Sequence, residues 1–356
     1  MLINHRRVLH FPALLFLILI AFPVFAENAT SSYKPVTVPN PATDLWRAVN
    51  PQQLPPAEAA MFPGGDSQVQ GVQSGVLINQ QGQQWRHFRM QQLLPTGGYL
   101  LTGALVAVLL FYLIRGKVLI RDGESDKKLE RYSVYERMIH WFMAFIFLFL
   151  GFSGLILLFG RSLLLPWMGP GLFSMLASAA KEGHNLFGPL FLLALVLMFL
   201  KFVIRNIYQK GDLTWLLKGG GIIGKQDVPS NFFNMGEKTL FWLLIIVGGL
   251  IAISGVVLLF PVFGQGRDIM ELSHVVHAIA ALAMLTVIIG HIYIGTIGMQ
   301  GATEGMTGGY CDLNWAKDHH SWWAQRCIDE GKILPKQQSV DAHADNPDSG
   351  SMEAEQ

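Results

Sequence analysis

The sequence predicts an all-α membrane protein, a bundle of five transmembrane helices in the mature chain. Three observations predict it. Of the 356 residues, 51% are hydrophobic and only 14% are charged, against about 25% charged in ordinary soluble domains. The apolar residues gather in five runs, at 97–114, 139–160, 186–204, 239–260 and 275–297. Each is close to the roughly 20 residues that a helix needs to cross about 30 Å of hydrocarbon. The basic residues gather in every second connection between those runs, the asymmetry that sets membrane orientation. The net charge of +1 gives no reason to expect a nucleic-acid partner. The two cysteines, Cys311 and Cys327, form no Cys-x-x-Cys pair, which argues against an iron–sulfur cluster or zinc ribbon built by this chain.

Taken in order, residues 1–26 read as a secretory signal peptide. His5, Arg6 and Arg7 make a basic start, Phe11 to Phe22 an apolar run, and Val24-Phe25-Ala26 a small-residue cleavage site. Residues 27–95 are rich in Pro, Gln and Gly, as in Pro51-Gln52-Gln53-Leu54-Pro55-Pro56, and read as a loop-rich periplasmic segment. Within it, Val76-Leu77-Ile78 before Gln80-Gln81-Gly82 reads as a hairpin. Residues 96–115 form the first span and 130–300 a four-helix domain. Residues 301–356 are expected to be a cytoplasmic tail, disordered at its end.

The spans are apolar all round, as expected where lipid replaces water. Gly151, Gly154, Gly248, Gly249 and Gly255 let their backbones approach closely. Trp141 and Trp167 fit an interfacial belt; Phe142, Phe147, Trp242 and Met284 read as packing or lipid-facing groups. The connection 115–138 carries seven Lys and Arg, among them Arg131 and Arg137, and 205–238 carries five, including Arg205 and Lys238. The intervening 161–183 holds only Arg161 and Lys181, and 261–272 only Arg267. This alternation places the mature N-terminus in the periplasm and the C-terminus in the cytoplasm of a bacterial inner membrane.

Histidine inside a span is costly and therefore a functional candidate. His277 and His291 lie fourteen residues apart on the last run. At about 100° per residue they fall within about 40° of one face, and about 21 Å apart along the axis. His274 lies about 100° away from His291 and reads as a rim residue. The alternating topology puts His140 at the depth of His291, and His184 at the depth of His277. Two pairs of imidazoles on facing helices, one pair near each membrane surface, suit six-coordinate haem iron built for electron transfer. The apolar runs carry no Asp or Glu, which disfavours a zinc or di-iron site and a proton channel.

Several motifs resemble the gamma subunit of respiratory formate dehydrogenase, a cytochrome b that anchors its complex. They are Arg137-Met138-Ile139-His140-Trp141, His184-Asn185-Leu186-Phe187-Gly188, Asn234-Met235-Gly236-Glu237-Lys238, the His277/His291 pair, and Trp315-Ala316-Lys317-Asp318-His319-His320-Ser321-Trp322-Trp323. The resemblance runs from Glu130 to Trp323. It implies two b haems, a periplasmic one held by His184 and His277 and a cytoplasmic one held by His140 and His291. It also implies quinone binding beside Asn234, Gly236 and His291, and partners in the catalytic (alpha) and iron–sulfur (beta) subunits, which would do the formate chemistry that this chain by itself does not. Glu237 stands where family members often have Gln. Asn234 and Gly236 also read as a helix cap and the turn after it. The cytochrome b of a nickel–iron hydrogenase or of another quinone-linked dehydrogenase shares the plan. A haem-free anchor or transporter is the alternative of another class. Family members with four spans begin near residue 130 here, so the segment 27–95 is expected to dock onto the periplasmic partners.

Overall fold

A computed structural model of the chain describes residues 85–218, 220 and 228–335. The signal peptide, the loop-rich segment through residue 84 with its hairpin, and the end of the tail beyond 335 lie outside the described residues. The chain divides into two compact units, 1–99 and 100–356. The described part of the first is helical from Trp85, with a π-helical stretch at Arg89–Leu93. Helix α1 (Leu94–Arg115) begins there, and in the second unit the rings of its Phe111 and Tyr112 meet Tyr293 edge-on at 6.1 and 6.4 Å.

Four long helices follow: α2 (Val134–Leu163), α3 (Leu165–Phe202), α5 (Met235–Leu259) and α6 (Arg267–Tyr293). With α1 they make five helices long and apolar enough to cross a membrane, and the chain is a multi-pass membrane protein. Each exceeds its apolar run, because polar side chains extend the helix beyond the hydrocarbon. Ser133 caps α2 in a reciprocal box with Glu136, and Asn234 caps α5 in the same way with Glu237. The core between α2, α3 and α5 is built from Met143, Ile146, Phe191, Ala194, Leu195, Leu244 and Ala252.

The connection expected at 161–183 is instead almost wholly helical. Helix α2 ends at Leu163 and α3 starts at Leu165. The break within α3 is Gly169, at φ 72°, a conformation open to glycine at no steric cost. Pro170 then begins the next stretch at a position where its missing N–H is harmless. His184 consequently sits well inside a helix rather than near its start.

The connection 205–238 also folds. A short helix α4 (Asp212–Leu217) brings Asp212 under the start of α5. Lys238, expected as a loop cation, is 1% exposed and bonds Asp212 Oδ2 at 2.7 Å and the Ile207 carbonyl at 3.1 Å.

The described part of the tail, 301–335, is folded too. Glu304–Thr307 (α7), Leu313–His319 (α8) and Ser321–Asp329 (α9) are helices. Strands β2 (Tyr310–Asp312) and β3 (Leu334–Pro335) flank β1 (Lys127–Glu130), both antiparallel, in the order β2-β1-β3. Leu129 pairs with Cys311 and Lys128 with Leu334. Leu129, Cys311, Trp315, Ala316 and Trp323 pack beneath them. Both cysteines are free and buried. Burial pushes the Cys311 thiol up to about 12, so it stays an unreactive thiol at neutral pH.

Arg131, just after β1, ties this cap to the bundle. Its Nη2 donates to Glu237 at 3.0 Å, to the Phe232 carbonyl at 3.2 Å and to His320 Nε2 at 3.0 Å. Its guanidinium lies 4.9–5.3 Å from the ring centres of Trp315, Phe232, Tyr132 and Trp323, a stacking geometry that suits its flat, weakly hydrated fork. His320 Nδ1 donates to the Asn231 carbonyl at 2.9 Å, so Nε2 must be the bare acceptor and the ring neutral. Glu237 Oε2 lies 3.7 Å from Nε2, but with a neutral ring the group that Glu237 neutralises is Arg131. Burial, and then Arg131, hold His320 well below the ordinary histidine range, and burial takes His319 down to about 4.

Both imidazoles thus bind protons less readily when folded, so the unfolded chain is the protonated one and cap stability rises with pH. Their contribution is complete above about pH 6.5 and diminishes as pH falls below it, the window for His319 closing near pH 4. Denaturation of the purified protein, followed by fluorescence of Trp315 and Trp323, should show the cap weakening below pH 6.5. A flat profile from pH 7 to 5 contradicts the neutral His320.

Candidate functional site

The four histidines of the spans come together in two pairs. His140, in the second turn of α2, faces His291, in the last turn of α6, with ring centres 6.3 Å apart and planes at 62°. His184 of α3 faces His277 of α6 at 6.1 Å and 72°. Helix α6 therefore contributes to both pairs.

The second pair is held by its own surroundings. Ser153 Oγ donates to the carbonyls of Phe149 and Leu150, at 2.8 and 3.2 Å, within its own helix. Its lone pairs then accept from His184 Nδ1 at 2.8 Å. Ser254 repeats the arrangement. It donates to Leu250 and Ile251 at 2.6 and 3.1 Å and lies 3.2 Å from His277 Nδ1, which also reaches the Ile251 carbonyl at 3.0 Å. A protonated Nδ1 on each ring leaves Nε2 with its lone pair, the tautomer a metal requires. The next residue is glycine in both helices. A Cβ at Gly154 would lie 3.4 Å from His184 Cε1, and one at Gly255 3.2 Å from His277 Cε1. Any side chain there would press on the ring.

The histidine motifs do not reveal this half of the arrangement, although the sequence carries a signal for it. Ser153-Gly154-x-x-Leu157-Leu158-Phe159 recurs as Ser254-Gly255-x-x-Leu258-Leu259-Phe260. In each helix the serine follows the capping residue by the same interval, Ser133 to Ser153 and Asn234 to Ser254. The hairpins α2–α3 and α5–α6 are thus built alike, each setting one histidine against the Ser-Gly of its first helix. The first pair lacks this support. His140 Nδ1 is buried with no hydrogen-bond partner among the described residues, and Trp141 meets its ring edge-on at 5.3 Å.

A metal–imidazole bond is about 2 Å and the ring centre lies about 1 Å beyond the nitrogen, so two rings on one ion have centres about 6 Å apart. Edge-to-face stacking covers the same separations. The Nδ1 bonds favour the metal reading, because stacking alone has no use for a fixed tautomer. Among the described residues no group of three His, Cys, Asp or Glu comes together as a metal site. Paired imidazoles suit iron whose remaining positions come from a macrocycle.

The other candidates are placed differently. Asn234 Oδ1 accepts from the Glu237 amide at 3.0 Å, and Glu237 Oε2 accepts from the Asn234 amide at 2.8 Å, so Asn234 is the cap of α5. A Cβ on Gly236 would lie 2.9 Å from Trp215 Cη2, so that glycine admits the indole against the backbone. Glu237 combines the cap with the Arg131 ion pair; a glutamine there would keep the cap and lose the charge.

The model of the prokaryotic cytochrome b561 family matches residues 131–309. The cytochrome b556(fdo) subunit of formate dehydrogenase from Escherichia coli is 31% identical over 197 residues, covering 54% of this chain and 90% of the relative. The nitrate-inducible b556(Fdn) subunit from the same organism is 27% identical over 204 residues, covering 56% and 91%. The formate dehydrogenase cytochrome b556 subunit of Haemophilus influenzae is 25% identical over 208 residues, covering 56% and 83%. Match and site coincide, since both histidine pairs and both Ser-Gly motifs fall inside residues 131–309. The chain belongs to the prokaryotic cytochrome b561 family, among the cytochrome b subunits of formate dehydrogenases.

Proposed function

We propose that this chain anchors a formate dehydrogenase complex in the bacterial inner membrane, binds two b haems, and carries electrons from periplasmic catalytic and iron–sulfur subunits to quinone on the cytoplasmic side. The observation that carries the reading is the two facing histidine pairs on one shared helix. Family membership implies haem b. When bound, it supplies an iron that takes up and gives back one electron at a time. His184 and His277 would hold one haem, with Ser153 and Ser254 fixing their tautomer. His140 and His291 would hold the other. An iron held by a histidine from each side would have no position free for substrate, so the chain's part would be transfer rather than substrate chemistry. Quinone is assigned to the His140/His291 end, beside the Asn234-Met235-Gly236 turn, on the family resemblance. The basic connections support that end as cytoplasmic, and the segment 27–95 is assigned to partner docking.

The purified protein should show a reduced-minus-oxidised spectrum of b type and two haems per chain. Folded protein with no such spectrum, prepared with haem available, rejects the reading. Removing both hydroxyls, Ser153→Ala with Ser254→Ala, should weaken haem retention about tenfold or more, as losing an outer partner does at other metal sites. It should leave the His140/His291 haem unchanged in its redox titration. Deleting 27–90 should weaken copurification with the catalytic subunits, and unchanged assembly sinks the docking assignment.

A further inference from the structure

The bundle and the cap enclose a second polar space, outside the histidine pairs. It has a volume of about 510 Å³ and is lined by four cations, Arg131, Lys201, Arg205 and Arg326, against two carboxylates, Glu130 and Glu136. Glu136 is already engaged. Its Oε1 pairs with Arg205 at 2.8 Å and Lys201 at 3.9 Å, and its Oε2 accepts from the Ser133 amide at 2.8 Å.

The cations keep unused capacity. The Arg131 side chain is 2% exposed, and its hydrogen bonds to Glu237, the Phe232 carbonyl and His320 run through Nη2. Its Nη1 is buried with no hydrogen-bond partner among the described residues. A buried charged N–H without an acceptor costs about 1–3 kcal/mol or more, so an orphan of this kind points to an acceptor that belongs there. Arg326 Nη2 donates to the amide oxygen of Asn231 at 2.9 Å, a neutral partner, and no carboxylate among the described residues pairs with its charge. Arg205 is stacked 4.5 Å over the Phe232 ring, which stiffens its fork.

The place of the cavity supplies the class of ligand. Lys201 and Arg205 lie at the end of the span Leu165–Asn206, at the depth of lipid head groups. Basic pockets at that depth take anionic head groups, and guanidinium forks match phosphate oxygens two at a time. We propose that this cavity is a binding site for a phosphate group, favoured as the head group of an anionic phospholipid, with Arg131 Nη1 and Arg326 as its donors.

The test uses the complex purified from membranes and placed in nanodiscs of phosphatidylcholine, with or without phosphatidylglycerol. Native mass spectrometry counts the phosphatidylglycerol kept per chain, and thermal melting reads stabilisation. The wild type should keep phosphatidylglycerol and melt higher with it. Arg326→Gln with Lys201→Gln should weaken retention about 25-fold, since each surface cation contributes on the order of fivefold to anionic lipid binding. Arg326→Lys, which keeps the charge, should retain most of it, separating loss of charge from loss of fold. Stabilisation by inorganic phosphate in phosphatidylcholine discs, lost in the Gln variant, keeps the site and assigns its phosphate to the aqueous phase. Phosphatidylglycerol retention unchanged in the Gln variant overturns the proposal. So does a wild type stabilised by neither phosphatidylglycerol nor phosphate.

Discussion

Replacing His277 with Ala is expected to halve the haem content of the purified protein and to remove one of two steps in its redox titration. His277 faces His184 at 6.1 Å and has its Nδ1 fixed by Ile251 and Ser254. An alanine would leave His184 alone to hold that haem. His291 lies about four turns away on the shared helix and faces His140 of α2, so the haem those two would hold should be retained at least in part. His291→Ala should give the complementary result, losing the other step. A His277→Ala protein that keeps both haems moves ligation to His274, three residues away. Quantitative haem extraction with a potentiometric titration separates these outcomes.

Lys238→Met is expected to lower stability by about 3–5 kcal/mol. Lys238 and Asp212 are 1% and 4% exposed and 2.7 Å apart. Removing one member leaves the other charged, buried and unpaired, and this penalty, rather than the attraction between the two, dominates. Among the described residues Asp212 would keep only its hydrogen bond from the Gln209 amide, and the Ile207 carbonyl would lose the Lys238 donor. The double change Asp212→Leu with Lys238→Met removes both charges at once and should recover most of the loss. Thermal unfolding in detergent, read by circular dichroism, gives both values. Equal destabilisation in the single and double variants would mean that packing of α4, and not the unpaired charge, sets the penalty.

Lys238 also shows where sequence reading stops. Its position beside an apolar run made it a loop cation, because the pattern records only that a charge stands near the membrane. Asp212 lies 26 residues earlier, and nothing in the intervening sequence announces that α4 folds back to meet it. The connection 161–183 departs from a loop for a related reason. Its glycines and prolines look like loop residues, yet Pro166 and Pro170 fall where a helix tolerates them, and Gly169 confines the break to one residue. The tail Trp315 to Trp323 was legible as a motif but not as a fold. Its order comes from strands pairing with β1 and from aromatic rings around Arg131, contacts made across more than 180 residues of chain.

The sequence by itself determined the number of spans, the histidines that could serve as ligands and their two depths. These follow from the length of apolar runs and from 3.6 residues per turn, properties local to each helix. Tertiary structure decided what turns those histidines into a site. The serine and glycine of one helix orient the ring on the next, and the buried charges of Arg131, Asp212 and Lys238 find their partners only when distant segments meet. Hydrogen bonds and ion pairs act over about 3 Å in space, and such distances between segments are set by packing rather than by order along the chain.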